Sequence, residues 1–166
     1  MTLRSTPNRK LAIIKTLCLS VAAITLVASL TSCKPPPGSD PVGRTHHAIN
    51  GNVPYKLRKT INYRVFVIGG YTSKAWTNGD LEISRWQMNQ SWHNAAFLAL
   101  HEYGHLIAYK HGTKAYLGAP PQGFPTQNAE VWADCFAYAL TGVRYRNLNC
   151  SESNRRWAAN WINTWR

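Results

Sequence analysis

The sequence predicts a small α+β domain, and three patterns carry that prediction. Strand-type alternation comes first: Ile61 to Ile68 alternates, turns fully apolar and stops at Gly69-Gly70. Lys74 to Thr77, Asn78-Gly79 and Asp80 to Trp86 then read as a hairpin about an Asn-Gly turn. Two helical patterns follow, Trp92 to His111 and about Gln127 to Leu140. A last helix repeats Trp157, Trp161 and Trp165 at i, i+4, i+8. The expected architecture is a short antiparallel sheet packed with these three helices.

In chain order, residues 1–32 are set aside as a signal peptide. Arg4, Arg9 and Lys10 precede an apolar run, Thr16 to Leu30, that ends in small residues. The run is shorter than the roughly 20 residues a membrane span needs, and an uncleaved anchor is the alternative. Leu30-Thr31-Ser32-Cys33 resembles the bacterial lipobox, which implies cleavage before Cys33 and its lipidation. Residues 33–54, rich in Pro, Gly, Ser, Asn and Thr, read as a tether holding a domain off a membrane. His46-His47 within it are expected to be solvated rather than metal-bound. Residues 55–166 leave roughly 110 residues, enough for one small domain.

Within that domain, a strand beside the main helix can offer its edge to an extended peptide. Ala96, Leu100, Tyr103 and Ile107 repeat at helical spacing, Ser91 can cap the start and Gly112 suits the position past the end. Thr113 to Pro125, with Gly118, Pro120-Pro121, Gly123 and Pro125, is a loop expected to wrap over a cleft. Tyr116 in that loop and Tyr138 beyond it are candidates for a hydroxyl that stabilises a developing oxyanion. The Trp stripe at 157, 161 and 165 is expected to face the core. Bulky rings then compensate for the thin core of a small domain.

The chemistry is concentrated in His101-Glu-Tyr-Gly-His105. H-E-x-x-H on a helix puts two imidazoles one turn apart on one face, with a carboxylate beside them, as a zinc site with its own general base requires. A second helix offers Glu130 and Asp134 at i, i+4 among apolar neighbours, in a chain with only 7 acidic residues against 19 basic ones. Acidic groups so scarce and so placed point to a site.

These residues resemble the zincin-type zinc metallopeptidases of the gluzincin branch, in which H-E-x-x-H is followed on a second helix by E-x-x-A-D. The resemblance covers His101, Glu102, His105, Glu130 and Asp134, and implies an α+β zincin-like domain. It implies Glu130 as third zinc ligand and Asp134 as the partner of the first histidine, fixing its tautomer. Zn²⁺ with an open fourth position would then hydrolyse peptide bonds with Glu102 as general base.

A rival third ligand exists. His101 to His111 also spells H-E-x-x-H-x-x-A-x-x-H, close to the metzincin pattern, but with Ala108 where metzincins have Gly. Ala favours continuing the helix, and the only methionines, Met1 and Met88, lie upstream of the motif rather than in a turn after it. His111 is therefore the alternative metal ligand and Glu130 the expected one.

Cys135 and Cys150 remain once Cys18 leaves with the signal and Cys33 takes lipid; a disulfide between them would stabilise by roughly 3 kcal/mol in the chain-entropy model. Removing Arg4, Arg9, Lys10 and Lys15 from the net charge of +12 leaves 15 basic against 7 acidic residues, a balance of +8. The basic residues are scattered and no nucleic-acid motif is present, so a peptide or protein substrate and an anionic membrane or cell-wall surface are expected rather than nucleic acid. Two alternatives use the same residues. One is a metal-dependent amidase acting on peptidoglycan peptides, and the other is a non-enzymatic surface lipoprotein with a structural zinc.

Overall fold

Residues that composition assigns to the tether form the first helix of the described residues, α1, Pro41–Asn52. The computed structural model describes residues 40–113, 118–146 and 148–166. The expected signal, Cys33 and Tyr116 lie outside them. Asp40 caps α1, its carboxylate accepting from the Gly43 N–H at 2.7 Å, and Pro41 sits in the first turn, where an N–H would have no partner within the helix. Thr45, Ala48 and Ile49 make a narrow buried face, and Val53 with Leu57 of the short helix α2 (Tyr55–Arg58) continues it. Residues 40–54, expected to be part of the tether, therefore belong to the folded domain instead. Polar composition hid a helix whose apolar stripe is only three residues wide. The two histidines of this helix are occupied: His46 Nδ1 meets the Tyr63 hydroxyl at 3.0 Å, and the His47 ring packs on Trp92 at 5.2 Å.

Three strands follow, β1 (Arg64–Ile68), β2 (Lys74–Ala75) and β3 (Asp80–Ser84), in the order β1-β3-β2. The sheet is mixed, which corrects the antiparallel sheet expected: β2 and β3 form the antiparallel hairpin, but β3 pairs with β1 in parallel. The reason is the crossover after Gly69-Gly70, which carries the chain past β3's place before the hairpin turns back into it. That turn holds Gly79 at φ 93°, where a Cβ would collide with the Asn62 carbonyl. Leu81 and Ile83 of β3 point inward and are fully buried, while Phe66 of β1 faces out. The last residues expected in the strand instead form a helical turn, α3 (Arg85–Met88), capped by Ser84 Oγ.

The long helix α4 spans Trp92–His111, capped by Ser91, whose hydroxyl accepts from the Asn94 N–H. Twelve of its residues are buried, because α1, the sheet, α3 and a second long helix surround it. That partner, α5 (Ala129–Thr141), is capped by the Asn128 side chain and ends at Gly142 in the left-handed region, φ 67°. The two helices touch at Gly104. A Cβ there would lie 3.0 Å from the Ala133 Cα, and the Trp132 indole N–H donates to the Gly104 carbonyl at 2.8 Å. This close crossing brings the side chains one turn along each helix within reach of each other.

The last helix, α6 (Glu152–Asn163), buries Ala158 and Ile162 against α5. Its Trp157 and Trp161 pack edge-on against Trp132, and Trp165 against Trp161, so the stripe faces the core with its rings half-buried. A disulfide joins Cys135 on α5 to Cys150 ahead of α6, with Cα atoms 5.2 Å apart. The described residues all belong to one compact unit, and no helix among them is long and apolar enough to cross a membrane.

Candidate metal centre

His101 and His105 stand one turn apart on α4 with their rings edge to face, centroids 4.9 Å apart. Their Nε2 atoms approach to 3.2 Å. Glu130, in the first turn of α5, reaches over them: one carboxylate oxygen lies 3.3 Å from His101 Nε2 and the other 3.4 Å from His105 Nε2. One ligand atom from each residue can be chosen so that all three lie within 4.8 Å of one another. Ligands about 2.0–2.1 Å from a tetrahedral ion stand roughly 3.3 Å from each other, so the observed separations fit a cation held among them.

His101 is held from behind. Its Nδ1 meets Asp134 Oδ1 at 2.9 Å, a contact that needs a proton on Nδ1 and turns Nε2 toward Glu130 and His105. The other oxygen, Asp134 Oδ2, accepts from the Asn149 backbone N–H at 2.9 Å. With both oxygens turned away from the cluster, Asp134 supports the site rather than joining it.

Electrostatics agree with the geometry. Burial works against a charged His101, but its hydrogen bonds to Asp134 and Glu130 and the charge of Glu102 outweigh burial and raise its pKa to about 9. Burial, reinforced by the charge on His101, lowers His105 to about 4. Glu130 is held below the usual carboxylate range, first by its hydrogen bond to His101. The protein's own groups thus favour one positive charge at the point where the three residues meet.

Glu102 is 8% exposed and lines the same cleft without belonging to the triad. Burial pushes its pKa up to about 7, against a hydrogen bond from the Ala75 backbone. A carboxylate tuned to near-neutral pH beside a candidate cation site is suited to accepting and returning a proton.

The cleft around these groups has a volume of about 580 Å³. The segment Thr72 to Trp76, including β2, makes one wall, and Tyr145 with Arg146 makes another. Neither of the proposed tyrosines is seen at the cleft: Tyr138 packs under the Arg155 guanidinium, and Tyr116 lies outside the described residues. Tyr109 and Tyr145 line it instead. Tyr109 could have been found, since it follows His101 and His105 at the same four-residue step; nothing local marks Tyr145.

His111 does not reach the centre, which corrects the alternative ligand. The helix continues through Ala108, so residue 111 lies on another face, where its Nε2 meets Thr60 Oγ1 at 2.7 Å and its ring packs against Trp161 and Trp165. No family model, curated protein or solved structure matches this chain.

Proposed function

We propose that this chain is a zinc-dependent metallopeptidase that hydrolyses peptide bonds, with His101, His105 and Glu130 as ligands and Glu102 as general base. The observation that carries the reading is the set of 3.2, 3.3 and 3.4 Å separations among the three side chains. Two imidazoles and one carboxylate are a donor set that suits zinc, and three protein ligands leave a position open. A structural zinc usually has four protein ligands and does not need Glu102. When bound, Zn²⁺ lowers the pKa of a water toward neutrality and polarises a carbonyl.

Glu102 accepts the proton of the attacking water and passes it to the leaving amine. Asp134 keeps His101 in the tautomer that presents Nε2. Among the described residues β2 is an edge strand that lines the cleft; its Ala75 backbone bonds Glu102 and the Tyr109 hydroxyl, contacts that an extended substrate backbone would exchange for its own. The Cys135–Cys150 disulfide suits an oxidising compartment and so supports an extracytoplasmic location. The test is to purify the chain, measure zinc per molecule, and assay casein and peptidoglycan peptides beside a Glu102→Ala control. Bound zinc with Glu102-dependent casein cleavage is expected. Cleavage of peptidoglycan peptides alone would make it the amidase, and zinc without any hydrolysis would make the site structural.

A further inference from the structure

One wall of the cleft is stapled beside the support of the metal site. The residues preceding the two bonded cysteines are themselves joined: Asp134 on α5 accepts from the N–H of Asn149 at 2.9 Å, next to the Cys135–Cys150 bond. Disulfide and hydrogen bond are adjacent rungs between the same two segments. The first is buried and the second exposed. Earlier in the loop, Tyr145 stacks on Phe97, one turn before His101, with centroids 5.3 Å apart and planes within 13°.

An exposed backbone N–H can bond water instead, so the Asn149 amide alone holds Asp134 weakly. A covalent link one residue away removes most of the entropy that the amide would lose on being placed. Freed from that amide, Asp134 would keep only its bond to His101, and the pair could turn together. The ring that must aim Nε2 at the cation would then lose its orientation.

We propose that the Cys135–Cys150 disulfide is a positioning element of the metal site, acting through the Asn149 amide and Asp134 on His101. This rests on reading His101, His105 and Glu130 as metal ligands. Oxidation of the two thiols gives up two protons and two electrons to a disulfide-exchanging oxidant. Tight metal binding follows that step, so the domain acquires full affinity for its cation only where the disulfide can form.

The experiment is a Zn²⁺ titration of the full chain against a chromophoric chelator, on wild type, C135S/C150S, D134A and the triple variant. The serine pair should bind Zn²⁺ on the order of 10- to 100-fold more weakly, and adding D134A should weaken it little further. Asn149→Pro, which removes the amide but keeps the disulfide, should move affinity in the same direction and decides the matter if the serine pair does not fold. Wild-type affinity in the folded serine pair or in Asn149→Pro would overturn the proposal, as would losses that multiply in the triple variant. A wild-type chain that takes up no Zn²⁺ would overturn the metallopeptidase reading together with it. Wild-type uptake with an indifferent disulfide would overturn the positioning role alone.

Discussion

The middle of α4 and its last turn carry the same residue type to different ends. His101 and His105 face Glu130 across the crossing at Gly104, with Asp134 behind the first ring. Six residues after His105, His111 meets a hydroxyl and two indoles. Nothing intrinsic to the imidazoles separates them. The face of the helix each occupies and the element packed opposite decide which can hold a cation and which fastens the C-terminal helix to the rest.

The sharpest way to break this comparison is at the residue that should do chemistry without holding metal. Glu102→Gln should lower turnover by at least about 10³-fold while zinc content and fold stay unchanged. Near-normal casein cleavage by this variant would remove Glu102 from the mechanism.

Next comes the contrast between the two candidate third ligands. Glu130→Ala should weaken Zn²⁺ binding by more than about tenfold, whereas His111→Ala should leave it nearly unchanged. His111→Ala should instead cost about 1–2 kcal/mol of stability, because Thr60 and the two tryptophans lose their partner. Parallel zinc titrations and denaturant melts of the two variants check both halves, and the reverse pattern would exchange their roles.

The burial of Glu102 predicts a stability effect that depends on pH. Its pKa in the fold is about 7 against an ordinary 4.5, so the folded state holds the proton more tightly. Well below pH 4.5 the group is protonated in both states and costs nothing; the cost grows as pH rises toward 7 and is complete above that, at about 3 kcal/mol. Glu102→Gln should therefore be more stable than the parent at pH 8 and equal to it at pH 4, both measured after chelator treatment. A gain that does not depend on pH would assign the effect to packing instead.

A smaller effect is expected where the two regions share a support. Gly104→Ala should destabilise the fold by about 1–3 kcal/mol, since its Cβ meets Ala133 and Phe136 across the helix crossing. It should also weaken zinc binding, because Glu130 rides on the displaced helix. A thermal melt and a zinc titration of the one variant read both consequences.

Much of the site was legible because its signals are local. The i, i+4 step of His101 and His105, that of Glu130 and Asp134, the Ser91 cap and the Asn78-Gly79 turn each depend on a few neighbouring residues, and the structure places them where those rules put them. Helix α1 was missed for the opposite reason. Its buried residues Thr45, Ala48 and Ile49 gain from burial only when α4 is already beside them, and alone they look like part of a polar linker.

By itself the sequence determined the class of fold, the two helices of the candidate centre and the pair of side chains that shares a face on each, because helical periodicity acts over a single turn; that the two pairs meet was implied only by the family resemblance. Tertiary structure alone decided three things. One is that β3 pairs in parallel with β1, since a register between distant strands is chosen by the path of the crossover. Another is that Tyr145 and Arg146 form a wall of the cleft, and the third is that His111 turns to Thr60 rather than to the centre. Those outcomes depend on segments far apart in the chain, and only packing brings them together.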